Sequence, residues 1–196
     1  RQLSLAFIVN VVINAAKEIV HAVAGDLEEA HEAGTEWLKE LAGVPKTEAD
    51  IVLTSNGGYP LDQNIYQAVK SMTAAEACVK EGGVIIVASE SSDGIGGDGF
   101  YRSFAEEKDE QRMMDAFLAT PKEETIADQW QSQIFARVLL RARVIYISGV
   151  EDRIVKDLHM IPAKNLDEAM QMADKMMGED ASVTVIPDGV AVIVKQ

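Results

Sequence analysis

Cysteine and basic residues are both scarce in this sequence. Cys78 is the only cysteine among 196 residues, so no disulfide can form within the chain. Such a framework is typical of proteins that fold in a reducing compartment, and we expect a cytoplasmic protein. The 18 Lys and Arg residues stand against 32 Asp and Glu, which gives a net charge of -14. This charge would repel a phosphate backbone and argues against nucleic acid as a partner.

Long hydrophobic runs are also missing. The most apolar run, residues 5–16, is interrupted by Asn10 and Asn14. It falls short of the roughly 18–20 apolar residues that a membrane helix needs, so we expect no membrane partner. The run also lacks the small-residue cleavage site of a signal peptide. The chain starts at Arg1 without an initiator methionine and enters predicted structure almost at once, which we interpret as the start of a fragment of a longer protein.

Spacings that indicate a catalytic or metal centre are lacking. The three histidines, His21, His31 and His159, lie far apart and form no HxxxH or Cys-His pattern, so we predict no metal site built from this chain. There is no G-x-S-x-G elbow. Cys78 falls on the apolar face of a predicted helix, which favours a packed thiol over a nucleophile. The usual catalytic chemistries are therefore weakly represented in this chain.

What the sequence does contain is an alternation of apolar strands and amphipathic helices. Continuous apolar runs at 50–54, 84–88 and 144–148 are typical of interior strands in a parallel sheet. The pattern predicts an α/β fold, a three-layer sandwich with a mostly parallel sheet and an antiparallel edge. The other predicted elements are strands at 5–13 and 18–24, a helix from the cap Asp26 to about Leu41, a connecting loop at 43–50, helices at 61–80, within 100–119 and at 125–143, a helix from the cap Asn165 to Met177, and strands at 182–186 and 190–195 joined by a Pro-Asp-Gly turn.

A patch of polar side chains marks the helix predicted at 61–80. Tyr66, Gln67 and Lys70 fall within an arc of about 100° on a helical wheel, opposite the apolar face. A phenol, a carboxamide and an ammonium group on one patch suit a small carboxylate or hydroxy acid. The alternative is an ordinary solvated helix face. Trp130 lies at the margin of the apolar arc of a later helix, where it is either core or the wall of a pocket.

Two glycine-rich loops follow predicted strands, where α/β sheets bind ligands. The first, 56–58, leads into the helix that carries the polar patch, and the exposed amides at that helix start are candidates for holding an anion. The second, 94–99, reads G-x-G-x-x-G. Five residues separate it from the strand, and Glu90, Asp93 and Asp98 would oppose a pyrophosphate. We interpret it as a flexible loop near a cleft and not as a dinucleotide site.

Four runs of the sequence together resemble the C-terminal domain of the nickel-pincer lactate racemase family. The resemblance covers nearly the whole chain. It implies an isomerase that interconverts D- and L-lactate in the cytoplasm. It also implies a cofactor, the nickel pyridinium-3,5-bisthiocarboxylate mononucleotide, which accepts the substrate hydride. The runs are SNGGYPLDQNIYQAVKSMTAAEACVKEGGVIIV at 55–87, DGIGGDGFY at 93–101, IADQWQSQIFARVLL at 126–140 and VTVIPDGVAVIVK at 183–195.

The resemblance assigns a role to four side chains. It implies that Gln67 and Lys70 bind the substrate, lactate or a related 2-hydroxy acid, with Tyr66 beside them and Trp130 lining the pocket. Their task would be to position the substrate and not to transfer a proton. Lys70 would offer its charge to a carboxylate, whereas Gln67 and Tyr66 would donate hydrogen bonds.

The resemblance also implies what this chain does not supply. In the family, the lysine that holds the cofactor, the nickel-binding histidine and the acid–base histidines belong to an N-terminal domain, and no histidine here matches them. We therefore expect residues 1–196 to be the C-terminal, substrate-clamping domain of a racemase, inactive alone, with the N-terminal domain as its partner and residues 1–48 packed at the hinge. The alternatives are a racemase or epimerase of another 2-hydroxy acid, and a non-catalytic module that binds small acids.

Overall fold

The computed structural model describes residues 6–14 and 16–195. Leu5, the predicted first residue of the opening strand, lies outside them. In chain order the elements are β1 (Ile8–Ile13), β2 (Ile19–Gly25), α1 (Leu27–Ala42), β3 (Gly43–Pro45), β4 (Ala49–Ser55), α2 (Ile65–Cys78), β5 (Val79–Ala88), α3 (Asp98–Glu106), α4 (Glu110–Ala119), a short 3-10 helix (Lys122–Glu124), α5 (Gln129–Arg141), β6 (Arg143–Ile147), α6 (Asp152–Asp157), β7 (Ile161–Ala163), α7 (Leu166–Met177), β8 (Val183–Ile186) and β9 (Ile193–Lys195).

The chain divides into two compact units. The first comprises the described residues up to Pro45 together with Ile193–Lys195, and the second comprises Lys46–Val192. The first unit contains the antiparallel hairpin β1–β2, helix α1 and the parallel pair β3–β9. Asp26 caps α1 because its carboxylate accepts the backbone N–H of Glu28 at 2.9 Å. The predicted opening strands and their capped helix are thus confirmed.

The hairpin of the first unit has two different faces. His21 on β2 stacks on Trp37 of α1 with ring centroids 4.5 Å apart, so this face packs against the helix. Val9, Val11 and Ile13 alternate with the inward residues and lie on the other face, where they are 65%, 50% and 51% exposed. The hairpin is therefore apolar on both sides, whereas α1 covers one of them.

The second unit is a three-layer α/β structure, as predicted. Its five-stranded sheet has the order β7-β6-β5-β4-β8, and every pairing in it is parallel. Ile51, Val84 and Ile86 form a buried cluster with Ala169 and Ala173 of α7 on one face. Their neighbours in each strand point to the opposite face, where α2 and α5 contact β4, β5 and β6. The core thus lies on both sides of the sheet, and the antiparallel pairing of the fold lies in the separate hairpin β1–β2.

Several predicted boundaries require correction. The helix predicted at 61–80 runs from Ile65 to Cys78, and that predicted at 125–143 runs from Gln129 to Arg141. The segment 43–50 is not a loop throughout, because Gly43–Pro45 forms β3. The two last strands do not pair with each other: β8 pairs with β4 and β9 pairs with β3, both in parallel. Strand β7 and helix α6 were not predicted at all.

The helices give no sign of a membrane-spanning segment. In the part of the chain that the structure describes, no helix is both long enough and apolar enough to cross a bilayer.

Candidate functional site

Helix α2 carries three of the four predicted site residues. Asn64 caps it, since its side-chain oxygen accepts the Gln67 backbone N–H at 3.0 Å. The apolar side of the helix, including Ala68, is fully buried against the sheet. Tyr66 and Gln67 are partly buried and Lys70 is exposed. These three residues therefore lie on the side of the helix that faces away from the core, as the helical periodicity of the sequence predicted. Cys78, on the buried side, is a packed thiol as expected.

The glycine-rich loop that follows β5 is hydrogen-bonded to the first residues of α2. The N–H groups of Ile65 and Tyr66 donate to the carbonyls of Gly94 and Ile95, each at 3.0 Å. Gly96 adopts φ +89°, and a Cβ there would lie 2.5 Å from the Asn64 side chain. The amides at this helix start already have partners, so our suggestion that they hold an anion is wrong. The loop itself is hydrogen-bonded to the helix and presents carbonyl groups toward it.

Trp130 comes to Tyr66 from the first turn of α5. The two rings meet edge to face, with centroids 6.4 Å apart and planes at 82°. Tyr66 also meets the buried ring of Phe100 at 5.7 Å and 80°. Trp130 is 54% exposed, which excludes the interpretation that it is a core residue. Tyr66 is thus packed between one buried and one exposed aromatic ring.

Asp128 is a member of this cluster that the sequence did not reveal. Its carboxylate accepts the Tyr66 hydroxyl at 3.0 Å, although the two residues are 62 positions apart. Burial, followed by this hydrogen bond and the charge of Asp128, raises the pKa of the Tyr66 phenol above its ordinary value. No local pattern signals a pairing across such a separation.

Gln67 and Lys70 complete the surface next to Tyr66. The Gln67 N–H bonds to the Asn64 side chain, and the Lys70 carbonyl accepts the Thr73 hydroxyl at 2.7 Å. Within the part of the chain that the structure describes, neither the Gln67 carboxamide nor the Lys70 ammonium group forms a hydrogen bond or an ion pair. An amide and a cation without protein partners can both bind a carboxylate.

A recess lies elsewhere, at the carboxyl ends of the strands, where α/β folds commonly bind ligands. Its volume is about 480 Å³, and Gln67 and Lys70 do not line it. Ser89, which lines the recess, lies 3.3 Å from the Ser91 hydroxyl group. Ser91 in turn shares a buried hydrogen bond of 2.6 Å with Tyr146, and burial raises the pKa of Tyr146 to about 12. The polar side chains lining the recess are Ser55, Asp62, Ser89, Glu90, Ser148 and Lys164.

Two histidines, His159 and His21, have side chains engaged in contacts within the protein. His159 is nearly buried between Glu110, 2.7 Å from its Nδ1, and the Phe104 carbonyl, 2.9 Å from its Nε2. His21 stacks on Trp37. No three His, Cys, Asp or Glu side chains in residues 6–14 and 16–195 converge as metal ligands. These residues therefore do not form a ligand set for nickel.

These observations define a class: a three-layer α/β domain in which one helix presents an amide and a cation beside an aromatic pair. Comparison with known proteins identifies its family. The family model described as the lactate racemase C-terminal domain matches residues 44–194, and the chain belongs to that family. The resemblance found in the sequence is thereby confirmed.

Relatives match the chain along its entire length. It is 52% identical to the lactate racemase of Thermoanaerobacterium thermosaccharolyticum and 52% identical to that of Lactiplantibacillus plantarum, covering 100% of this chain and 46% of each relative. The solved structure of the lactate racemase apoprotein from T. thermosaccharolyticum has a TM-score of 0.92 at 53% identity, over 98% of this chain and 46% of that one. The chain thus spans about half the length of the curated relatives it matches. A structure from Thermotoga maritima, with a TM-score of 0.59 at 13% identity, shares the fold.

Proposed function

We propose that this chain is the substrate-clamping part of a cytoplasmic, nickel-dependent lactate racemase, which interconverts D- and L-lactate. The observation that carries the proposal is the match to two lactate racemases at 52% identity over the whole chain. The α2 surface supports it, since Gln67 and Lys70 offer a donor and a charge to which a small organic acid would bind. A racemase of another 2-hydroxy acid would use the same groups, and assays with lactate, malate and longer acids distinguish these substrates.

Three of the four predicted site residues receive distinct roles in this proposal, and Tyr66 packs beside them. Lys70 pairs with the substrate carboxylate, and Gln67 donates a hydrogen bond to one of its oxygens. Trp130, beside Tyr66, forms the apolar wall of the site. Together they hold the substrate in one orientation for reaction, which lowers the entropic cost of the chemical step. None of them is proposed to transfer the substrate proton.

The cofactor belongs elsewhere in this proposal. Because the described residues provide no ligand set for nickel, we assign the nickel pyridinium-3,5-bisthiocarboxylate mononucleotide to the portion of the relatives that this chain does not span. That portion would be the domain partner of this chain. The chain alone is accordingly expected to be inactive in an assay of D/L-lactate exchange, and turnover by the isolated chain would contradict this division of labour.

The decisive experiment replaces the cation in the complete, cofactor-loaded enzyme. Lys70→Ala should lower kcat/KM for lactate by at least about tenfold, because the substrate carboxylate loses its charged partner. Lys175→Ala is the matched control, since Lys175 is an exposed lysine on α7, on the opposite side of the sheet, and we expect no change. Equal racemisation rates for the Lys70→Ala variant and the unchanged enzyme would refute the assignment.

A further inference from the structure

The recess at the carboxyl ends of the strands has no role in the proposed function. We call it the edge recess. Its volume of about 480 Å³ is lined by residues that end or follow the four neighbouring strands β4, β5, β6 and β7, and neither Gln67 nor Lys70 is among them. Parallel α/β sheets ordinarily bind ligands at this edge. The edge recess is therefore a candidate for a second binding site, separate from the α2 surface.

Two carboxylates, those of Asp62 and Glu90, line the edge recess. Backbone hydrogen bonds hold both residues in place. The Glu90 N–H donates to the Asp62 carboxylate at 3.3 Å, and the Gly149 N–H donates to the Glu90 carbonyl at 3.1 Å. The Glu90 carboxylate lies beside Gly149, where a Cβ would come within 2.7 Å of its Oε1. In the described part of the chain neither carboxylate forms an ion pair, so both can bind a cationic group.

Lys164 adds a positive charge to the same recess. It follows β7 directly, and its backbone N–H donates to the Glu168 carboxylate at 2.8 Å. Its ammonium group forms no hydrogen bond or ion pair within residues 6–14 and 16–195, and in particular none with Asp62 or Glu90. The recess thus offers charges of both signs that do not neutralise each other in a salt bridge. Such a lining matches a ligand that carries one anionic and one cationic group.

An apolar recess adjoins the edge recess and shares Ser55, Ala88 and Ile147 with it. Its volume is about 210 Å³, and its walls include Leu166 and Val185, which are 45% and 56% exposed. An apolar cavity of about 150 Å³ is large enough to bind benzene, so this one has room for a branched aliphatic group. A ligand held in the edge recess can therefore bury an aliphatic group next to its charges.

We propose that the two recesses form one binding site for a free α-amino acid with a branched aliphatic side chain. Lys164 binds the α-carboxylate, and Glu90 and Asp62 bind the α-ammonium group. The side chain of the ligand enters the apolar recess beside Leu166. This site is separate from the proposed racemase function and does not depend on it.

The ligand test is a titration of this chain with L-leucine, followed by two-dimensional NMR of the backbone amides. The amide signals of Ser89, Gly149 and Lys164 should shift. L-leucine should bind at least about tenfold more tightly than 4-methylpentanoate, which lacks the amino group, or 3-methylbutylamine, which lacks the carboxylate, because each loses a charge-assisted hydrogen bond. Glycine should also bind at least about tenfold more weakly, since it has no side chain to bury.

The variant test assigns each charge to its partner. Lys164→Ala should weaken L-leucine binding by at least about tenfold and leave 3-methylbutylamine unchanged, whereas Glu90→Gln should weaken both and spare 4-methylpentanoate. Both residues are exposed, so unchanged amide signals elsewhere in the spectrum will show that the fold is intact. Lys175→Ala is the matched control, because this exposed lysine lies at the other end of α7, and it should bind L-leucine like the unchanged chain.

Three outcomes would overturn the proposal. Equal affinity for L-leucine and 3-methylbutylamine would make the edge recess a site for simple cations. Shifts at Tyr66 and Lys70 in place of the edge recess would put the amino acid on the α2 surface. An absence of shifts with L-leucine would leave the recess without this ligand. None of these results involves racemisation, so each would leave the proposed function standing.

Discussion

Strand β5 and the hairpin β1–β2 are built from similar residues but have very different surroundings. Val84, Ile85, Ile86 and Val87 in β5 are fully buried, whereas alternate residues of β1 are half exposed or more. Strand β5 lies between β4 and β6, with α7 on one face and α2 and α5 on the other. The hairpin has two strands and one covering helix. Apolar, β-branched composition therefore selects strands, and the number of covering layers decides their burial.

This difference predicts unequal local stability. An isolated two-stranded hairpin gains little from its own pairing, whereas a central strand covered on both faces gains burial from every side chain. We expect the two regions to respond differently to the same kind of substitution. Three variants test this contrast.

The largest effect is expected at the centre of the sheet. Ile86→Ala removes a fully buried side chain between strands and α7 and should lower the free energy of unfolding by roughly 2–5 kcal/mol, measured by urea denaturation. Ile86→Val is the graded control and should cost about 0.5–1.5 kcal/mol. If Ile86→Ala lowered the free energy of unfolding by less than Ile86→Val does, burial would stabilise β5 no more than it stabilises the hairpin.

An intermediate effect is expected at the buried hydroxyl of Tyr146. Tyr146→Phe removes the bond to Ser91 and should cost about 1 kcal/mol near neutral pH. The phenol of the folded chain has a pKa of about 12, above its ordinary value near 10, so its stabilisation is complete below pH ~10 and is lost as pH rises toward 12. The variant should lose this alkaline component in denaturation curves recorded between those values. An unchanged alkaline slope would show that Tyr146 is not the group responsible.

The smallest effect is expected on the outer face of the hairpin. Val11→Thr keeps the β-branched shape at a half-exposed position and should change the unfolding free energy of this chain by less than about 0.5 kcal/mol. Thermal denaturation with circular dichroism measures it. A cost near that of Ile86→Ala would remove the contrast, because it would place Val11 in a buried environment in solution.

The fold was predictable where a short stretch of sequence is enough to identify an element. The caps Asp26 and Asn165 and the continuous apolar runs of β4, β5 and β6 carry their own evidence, and the elements lie where expected. The short strands β3 and β7 have three residues each, too few for a periodic pattern, whereas β9 falls within the strand predicted at 190–195. The partner of β8 depends on pairing across more than a hundred residues, which a turn motif beside it cannot specify.

The candidate site divides in the same way. Tyr66, Gln67 and Lys70 were grouped by the helical period alone, because they belong to one helix. Their meeting with Trp130 was implied by the family resemblance, and the contact with Asp128 needed coordinates, since helix α5 brings it from a distant segment. The roles of these residues toward a substrate stay predictions.

The loop at 94–99 shows that the same glycine-rich pattern can present either N–H groups or carbonyl groups to its neighbour, with opposite partial charges. In a nucleotide site such a string leaves N–H groups pointing at phosphate, so positive partial charge faces the ligand. Here the carbonyls of Gly94 and Ile95 point at the first amides of α2, and negative partial charge faces the positive end of a helix. At Gly96 a side chain would collide with Asn64, which accounts for a glycine at this position. A pattern search that stops at the letters would therefore assign to this domain a ligand whose place is already taken by the polypeptide itself.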